Sequence, residues 1–343
     1  MSQKALLIES KGGPFVLKDR AIPTPGAGDL LVKVHAVGLN PVDWKIQAYG
    51  IFVDEYPAVL GSDIAGEVEA VGEGVEKFKK GDRVFLQGPY RGRWGGFQQY
   101  MVQPAEIVAK IPSNISYSEA ATIPVAWVCA AIGLFAPKEI GAGLEPPFDR
   151  KAHYKGQTAL VVGGSASVGQ YAIQLFKLAG FSEIITYAAR KHTAHLTSLG
   201  ATHVVDRAET PLTGSALRSA IQKITSADIK IVLDAVCSEE AQQASYEVLV
   251  PGGTLVTLLN PTVKETSTDK RVLHVLGTVV PPENRAFGKV LFENLEGLVA
   301  DGLIVANRFE DLPGGLGGIV NGLERMKRNE VSGIKLVAHP LET

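Results

Sequence analysis

The stretch TALVVGGSASVGQ, residues 158–170, decides how this chain folds. It begins with a short run of apolar residues, turns through two glycines and continues into a segment with helical periodicity. Similar apolar runs recur downstream, with helical patterns between them: EIITYA, HVVD, IKIVLDAV and GTLVTLL. Short apolar strands that alternate with helices predict a doubly wound parallel sheet of the α/β class from about residue 157 onward.

The sequence before residue 157 has a different pattern. Segments 30–40, 65–72 and 82–88 have the period-2 character of short strands, and Gly, Pro and Asp separate them. After the parallel-sheet region the pattern gives one more helix and a tail of short strands that ends in IKLVAHP. We therefore predict that a parallel-sheet domain, residues 127–282, is inserted into a β-rich domain made of residues 1–126 and 283–343.

Composition narrows the class of protein. The chain has 343 residues and a formal net charge of −2, so no positive field favours nucleic acid or an anionic membrane as a partner. Cys129 and Cys237 both lie in apolar sequence, which indicates buried thiols in a reducing compartment. The N-terminus lacks the apolar core of a signal peptide, and no apolar run approaches the roughly eighteen residues of a spanning helix. We expect a soluble, cytoplasmic protein.

The glycine-rich turn has the features of a phosphate-binding loop. Gly164 and Gly169 have the spacing of the outer glycines of the dinucleotide fingerprint, and Ala166 occupies the middle position. We expect Gly164 to allow the tight turn and Gly169 to let helix and strand pack closely. Ser165 and Ser167 add hydroxyl donors near the positive end of the helix dipole, where a pyrophosphate binds favourably. The alternative is an incidental glycine-rich turn, which the following β-α-β series makes less attractive.

The end of the second apolar strand indicates which dinucleotide binds. An acidic residue about twenty positions after the glycines would accept hydrogen bonds from the ribose of NAD. This strand ends instead in Arg190, Lys191 and His192, which favours the 2′-phosphate of NADP. The alternative is a solvated helix N-terminus, but two cations at that position would be unfavourable because they would lie at the positive end of the helix dipole.

Tyr187 and Lys191 fit the Y-x-x-x-K spacing of a catalytic pair, which requires both residues on one helix. Tyr187 lies in a predicted strand, where positions four apart are about 13 Å distant, so we reject the pair as catalytic.

Several motifs together resemble the medium-chain dehydrogenase/reductase superfamily. They look most like its zinc-free quinone oxidoreductase branch and, within it, the fungal trans-acting enoyl reductases. The resemblance covers nearly the whole chain and implies a Rossmann NADP-binding domain inserted into a GroES-like catalytic domain. The motifs that carry it, besides the glycine loop, are GLNPVDWK (38–45), LGSDIAGEVEAVG (60–72), KKGDRV (79–84), GGFQQYMV (95–102) and the closing SGIKLV.

The resemblance and the residues both argue against a metal. Zinc-dependent members carry a cysteine where this chain has Asn40, and Gly-His-Glu where it has Gly61, Ser62 and Asp63. Independently, two distant cysteines and seven scattered histidines give no ligand set with zinc spacing. Without a Lewis acid, reduction of a quinone or a conjugated C=C bond is easier than oxidation of an alcohol, because the acceptor delocalises the incoming charge.

The resemblance also implies which residues contact NADPH and the substrate. Three of these residues have an alternative role that involves neither cofactor nor substrate. Asp43 would cap a helix beginning at Trp44, Trp127 would be a core residue, and Lys335 would be a solvated strand residue. Asp63 is expected to be a turn or cap residue and not an acid catalyst. The implied contacts are Pro41, Val42, Asp43, Trp44, Leu259 and Asn260 at the nicotinamide half; Ser165, Ala166, Ser167 and Val168 at the diphosphate; Ala189, Arg190, Lys191 and His192 at the 2′-phosphate; Arg207 near the adenine; Lys335 and Leu336 from the tail; and Trp127, Val128 and Tyr49 at the substrate.

The expected reaction is hydride transfer from NADPH to the β-carbon of an enone, enal or quinone in a cleft that excludes water. The sequence identifies no catalytic proton donor; Tyr49, Tyr56 and Tyr90 are candidates because they lie in loops of the catalytic domain. The favoured function is a reductase of free small molecules, because the sequence contains no carrier-protein signature. The alternatives are an enoyl reductase acting on a polyketide chain held by an acyl-carrier partner, and a non-catalytic NADPH-binding protein. The sequence leaves open a monomer or a homodimer.

Overall fold

The computed structural model describes residues 1–89, 94–264 and 266–343. The chain forms two compact units. The first contains Met1–Val125, Thr278–Gly302 and Ala306–Thr343, and the second contains Ala126–Gly277 and Leu303–Val305. The second unit ends near residue 277 and not at the predicted 282, because the Val279 N–H already donates to Gln87 Oε1 of the first unit at 3.0 Å.

The strands are short in both units. In chain order they are β1 (Ser2–Ile8), β2 (Phe15–Ala21), β3 (Asp29–Gly38), β4 (Ala58–Val59), β5 (Asp63–Val71), β6 (Arg83–Gln87), β7 (Tyr100–Pro104), β8 (Val108–Lys110), β9 (Thr158–Val162), β10 (Glu183–Ala188), β11 (His203–Asp206), β12 (Ile229–Asp234), β13 (Thr254–Thr257), β14 (Arg271–His274), β15 (Phe309–Leu312) and β16 (Lys335–Ala338).

The helices differ widely in length and in burial. In chain order they are α1 (Pro41–Tyr49), α2 (Tyr117–Ala120), α3 (Pro124–Phe135), α4 (Ser167–Leu178), α5 (Thr193–Leu199), α6 (Gly214–Gln222), α7 (Glu239–Val248), α8 (Pro282–Ala300) and α9 (Gly315–Lys327).

The second unit contains the predicted doubly wound sheet. Its strand order is β11-β10-β9-β12-β13-β14, and every paired strand is parallel. β9 is buried along its whole length, which is why its sequence is continuously apolar and does not alternate. The strand order reverses between β9 and β12, and a ligand crevice is expected at the carboxyl ends of strands at such a reversal.

The first unit is the predicted β-rich domain. Its larger sheet has the order β15-β16-β3-β5-β6-β8, with β7 also pairing with β3, and its smaller sheet has the order β2-β1-β4. The closing segment IKLVAHP contributes β16, whose Val337 pairs with Gly38 of β3 in antiparallel register. The prediction that only short strands follow the last helix is wrong, because α9 lies between β15 and β16.

One segment contradicts the prediction that no part of the sequence is long and apolar enough to form a membrane-spanning helix. Tyr117–Phe135, which contains α2 and α3, has 19 residues and is long and apolar enough to cross a membrane by length and composition. This segment is 83% buried inside the protein. Because a core helix passes the same test, the segment carries no membrane assignment.

Candidate dinucleotide-binding site

The glycine loop after β9 is shaped by three glycines with different tasks. Gly163 has φ +85°, so the tight turn lies there and not at Gly164 as the fingerprint spacing predicts. A Cβ on Gly164 would lie 2.0 Å from Thr186 Oγ1 of β10, so this glycine is needed for packing. A Cβ on Gly169 would lie 2.3 Å from the Gly163 carbonyl oxygen, so this glycine lets the helix approach the loop directly after β9, whereas the prediction was a close approach to the strand itself.

The N-terminus of α4 follows the loop directly. The helix begins at Ser167 with Ala166 at its N-cap, so the N–H groups of the first turn have no acceptor within the helix. Residues 165–168 are all partly exposed. The Gln170 side chain fixes the loop by donating from Nε2 to the Ser165 carbonyl oxygen at 3.0 Å. A rigid loop with free N–H groups at the positive end of a twelve-residue helix suits a diphosphate.

The basic residues after β10 form a turn that leads into α5. Arg190–His192 is a short 3₁₀ helix. Arg190 and Lys191 are exposed, whereas His192 is only 5% exposed, so the His192 ring lies inside the unit and offers little surface to a phosphate. Arg207 is exposed, and its backbone N–H donates to the Ala188 carbonyl oxygen at 3.0 Å, which places it beside the basic turn.

Two carboxylates that the sequence analysis did not single out contact Arg190. Its Nε donates to Asp206 Oδ2 at 3.0 Å, and a terminal guanidinium nitrogen donates to Glu209 Oε1. Asp206 is the last residue of β11 and pairs in register with Ala188 of β10. The signal was present in the sequence, since HVVD ends in an acid and parallel neighbouring strands end at the same edge of the sheet.

Hydrogen bonds and charge hold Asp206 ionised. Its Oδ1 accepts the backbone N–H groups of Ala208 at 3.1 Å and Arg190 at 3.3 Å. The Ala208 hydrogen bond and the Arg190 contacts lower the pKa of Asp206 against the smaller effect of burial. Lys191, by contrast, makes no ion pair with any residue that the structure describes.

The other end of the same sheet edge is apolar. Val236 after β12, Leu259 after β13 and Leu276 after β14 are 46%, 46% and 37% exposed. Asp234 at the end of β12 holds this edge in place, because its Oδ1 accepts the N–H groups of Val236 at 2.8 Å and Cys237 at 3.0 Å. Burial raises the pKa of Asp234 to about 6.

The carboxyl edge of the sheet thus has a polarity that fits a nicotinamide dinucleotide. Cations lie after β10 and β11, the glycine loop lies after β9, and apolar side chains lie after β12, β13 and β14. Leu259 and Asn260, predicted at the nicotinamide half, are exposed at the apolar end. Tyr187 has no catalytic geometry, since its hydroxyl donates to the Thr210 carbonyl oxygen at 2.8 Å.

The first unit contains a buried polar cluster that we call the lysine cluster: Asn40, Asp43, Asp63 and Lys335. The Lys335 ammonium contacts Asn40 Oδ1 at 2.8 Å and pairs with Asp63 Oδ2, with side-chain exposures of 2% for Lys335 and 0% for Asp63. Asp63 Oδ2 also accepts from Asn40 Nδ2 at 2.9 Å, and Asp63 Oδ1 accepts the Val125 N–H at 2.6 Å. One carboxylate therefore ties together the start of α1, the start of α3 and β16.

Asp43, the fourth member of the cluster, lies in the first turn of α1. Its Oδ2 accepts the Asn40 backbone N–H at 2.8 Å, and the residue is fully buried. Burial is the largest effect on Asp43 and raises its pKa to about 7. The prediction that Asp43 is the N-cap of a helix beginning at Trp44 is therefore wrong, because the helix begins at Pro41 with Asn40 at its N-cap. Asp43 is the third residue of the helix, and its side chain caps the Asn40 N–H.

The lysine cluster does not fit a zinc ion. Zinc sites take three or four Cys, His or carboxylate donors in tetrahedral geometry. At the positions matching the zinc ligands this chain has an amide at Asn40, a hydroxyl at Ser62 and a carboxylate at Asp63. The carboxylate is already neutralised by the Lys335 ammonium. Among the described residues there is also no group of three or more His, Cys, Asp or Glu side chains able to hold a metal ion.

The structure places several predicted contacts in the interior. Trp127, Val128 and Leu336 are each 0% exposed, and Lys335 is 3% exposed. These side chains belong to the core or to the lysine cluster. The burial of Trp127 therefore favours the interpretation that it is a core residue over the interpretation that it lines the substrate pocket. Tyr49 is 60% exposed and lies beside Trp44, with ring centroids 6.0 Å apart, so it is accessible. Tyr90 lies outside the described residues.

Taken together, a doubly wound sheet with a phosphate loop and a GroES-like β-rich unit define a dinucleotide-dependent oxidoreductase fold. Two family models match the chain: alcohol dehydrogenase GroES-like domain over residues 26–113, and zinc-binding dehydrogenase over residues 167–280. A trans-enoyl reductase, grgB of Penicillium sp, is 32% identical over 98% of this chain and 97% of its own length. The chain belongs to the medium-chain dehydrogenase/reductase superfamily, whose members use NAD or NADP, and it is similar to fungal trans-enoyl reductases.

Other similarities agree on the fold. Dehydrogenase pigH of Monascus ruber is 40% identical, but the match spans 64% of this chain and 59% of that relative. The structure of human synaptic vesicle membrane protein VAT-1 homolog-like protein superposes with a TM-score of 0.78 at 25% identity, covering 99% and 98% of the two chains. The quinone oxidoreductase from Coxiella burnetii has a TM-score of 0.72 at 22% identity, covering 98% and 99%, and shows the fold alone.

Proposed function

We propose that this protein is an NADPH-dependent, zinc-independent reductase that transfers a hydride to the β-carbon of an α,β-unsaturated carbonyl compound. The observation that carries the cofactor part is the pair Arg190 and Lys191 at the end of β10, where an NAD enzyme would have a carboxylate. The acceptor part is supported by relatives that are at least 30% identical over nearly the whole chain and are named trans-enoyl reductases.

The residues of the second unit would bind and orient the dinucleotide. N–H groups of the α4 N-terminus hold the diphosphate, and Arg190 and Lys191 hold the 2′-phosphate. Val236 and Leu259 offer apolar surface to the nicotinamide ring and exclude water from one side of it. The bound cofactor supplies the hydride. The main protein contribution is orientation, which can account for a large share of a rate enhancement.

The electron balance of the proposed step needs one proton besides the hydride. The C–H bond at C4 of the reduced nicotinamide would break and a C–H bond would form at the β-carbon. The π pair of the C=C bond would then join the α-carbon to the carbonyl carbon, the π pair of the C=O bond would move to oxygen as an enolate, and the α-carbon would afterwards take a proton. Water can supply this proton, and Tyr49 and Tyr56, which are accessible or partly buried, stay candidates. The Lys335 ammonium cannot assist directly, because its side chain is buried.

A carrier-bound acyl chain is the favoured acceptor class, with an acyl-carrier protein as partner. Quinones and free alkenals form the second class, since the quinone oxidoreductase neighbour is similar in fold alone. NADPH oxidation should be measured against quinones, short alkenals and enoyl thioesters of a pantetheine analogue. Turnover of the thioester alone supports the first class, and turnover of quinones alone replaces it with the second. NADPH binding without any turnover would indicate a non-catalytic NADPH-binding protein. The cytoplasmic location and the oligomeric state stay predictions.

The cofactor preference has its own test. Replacing both Arg190 and Lys191 with alanine should raise the NADPH dissociation constant at least tenfold, or about 1.4 kcal/mol, and leave weak NADH binding nearly unchanged. Lys223→Ala with Lys230→Ala is the matched control, because it removes two exposed cations near the opposite edge of the sheet. Equal losses for the two cofactors, or an equal effect of the control, would refute NADPH selection by the basic turn.

A further inference from the structure

The two acids on Arg190 are held in different ways. The Asp206 side chain is 12% exposed, and two backbone N–H groups fix its Oδ1. The Glu209 side chain is 65% exposed, and Arg190 is the sole partner of its carboxylate among the described residues. Asp206 therefore positions the Arg190 guanidinium from a fixed place in the backbone, whereas the Glu209 carboxylate is held only by its contact with Arg190.

The geometry divides the guanidinium between these acids. Asp206 accepts from Nε at 3.0 Å, and Glu209 accepts from the terminal nitrogen Nη2. The terminal nitrogens are the donors that a guanidinium uses to bind a phosphate in a fork geometry. A carboxylate and a phosphate at the same nitrogen compete for its N–H groups, and they also repel each other.

We propose that Glu209 is a specificity-determining residue that occupies the phosphate-binding end of Arg190 and is displaced when the 2′-phosphate of NADPH binds, while Asp206 keeps the guanidinium in position. This inference rests on the proposed NADPH site. Displacement is easy, because an exposed ion pair is weak and Glu209 lies in the turn after β11. Glu209 therefore reduces the affinity for NADPH and does not change the affinity for NADH, which has no 2′-phosphate.

The experiment measures the dissociation constants of NADPH and NADH for the full chain by calorimetry. Glu209→Gln keeps the shape and removes the charge, so the NADPH constant should fall threefold to tenfold and the NADH constant should stay within twofold. Asp206→Asn should do the opposite to NADPH and raise its constant, because the guanidinium loses its support. Asp228→Asn is the charge control: Asp228 is exposed and precedes β12 at the opposite edge of the sheet.

The measured dissociation constants decide whether Glu209 opposes NADPH binding. An unchanged or higher NADPH constant in Glu209→Gln overturns the inference, even if the wild-type protein prefers NADPH. An equal gain in Asp228→Asn also overturns it, because the effect would then be general charge. If the wild type does not prefer NADPH, the cofactor part of the proposed function fails. In that case, a preference for NADPH that appears in Glu209→Gln would still support the inference about Glu209. If Glu209→Gln showed no preference for NADPH either, the inference would be overturned. Thermal melting checks that each variant is folded.

Discussion

Replacing Lys335 with methionine should destabilise the first unit strongly. Methionine has nearly the same length and no charge, so the change removes the ammonium without opening a large cavity. The Asp63 carboxylate would then be buried with two neutral donors, the Val125 N–H and Asn40 Nδ2. Asn40 Oδ1 would also lose its donor.

The magnitude follows from the burial of the pair. Removing one partner of a buried ion pair typically costs about 3–5 kcal/mol, because the remaining charge is left without compensation. We therefore expect a loss of about 3–5 kcal/mol.

Hydrogen exchange can assign the loss to one unit. Amides of β3, β5 and β16 should lose protection in Lys335→Met, while those of β9 and β12 in the second unit should not. Arg325→Met is the matched control, since Arg325 pairs with Glu310 at 2.6 Å and 2.9 Å in the same unit, but both side chains are partly exposed. That pair should contribute about 1 kcal/mol or less. Adding Asp63→Asn to Lys335→Met should restore part of the stability, because no buried charge is left unpaired.

A loss of stability in Lys335→Met no larger than that in Arg325→Met would show that the buried pair contributes no more than an exposed one. A double variant that lost as much as the sum of its two single variants would also contradict the prediction, since the two side chains would then act independently.

Two further predictions concern proton binding and the glycine loop. Because burial raises the pKa of Asp43 from 3.8 to about 7, the folded chain keeps a proton that the unfolded chain has released, and the contribution of Asp43 to stability should fall as the pH rises from about 4 to about 7. Asp43→Asn removes this contribution, so the urea midpoint of the variant should improve relative to that of the wild type over this range, while the same-signed effect of Asp234 is common to both proteins; parallel profiles would contradict the prediction. Gly169→Ala should weaken NADPH and NADH binding equally, by at least tenfold, because its Cβ would lie 2.3 Å from the Gly163 carbonyl oxygen and displace the loop. Calorimetry with both cofactors checks this, and a selective loss of NADPH would show that the loop had not moved.

The sequence predicted the second unit well because its signals are local. Each apolar run is a strand, and the glycine spacing marks the turn into α4. Even the misassigned turn glycine differs by one residue, since Gly163 and not Gly164 has the positive φ. Fingerprint spacing cannot distinguish a glycine needed for its backbone angle from one needed for packing.

The missed helix α9 shows where local signals fail. Its sequence GLGGIVNGLERMK is rich in glycine, which disfavours a helix. Leu316, Ile319 and Leu323 nevertheless form a buried stripe with helical spacing. Gly322 is needed for packing, since its Cβ would lie 2.6 Å from Leu312 Cδ1 and 2.7 Å from Leu39 Cδ2. Tertiary packing therefore overrides propensity in this helix.

The lysine cluster could not be predicted for a different reason. Lys335 and Asp63 are 272 positions apart, and no periodicity links them. Their sequence environments indicate a strand residue and a turn residue, which are both ordinary places for exposed charges. Only the pairing of β16 with β3, and of β3 with β5, brings the two side chains together.

A lysine in this position also constrains the chemistry. Its ammonium contacts Asn40 and Asp63, two of the positions that match metal ligands in zinc-dependent members of the superfamily, and these residues engage two of its three N–H groups. A metal ion with an open position can polarise a substrate oxygen, whereas this buried ammonium cannot reach one. In the proposed reaction, stabilisation of a developing negative charge would therefore come from other donors or from the substrate itself. This is consistent with the proposed conjugated acceptor, which spreads the charge over its own π system.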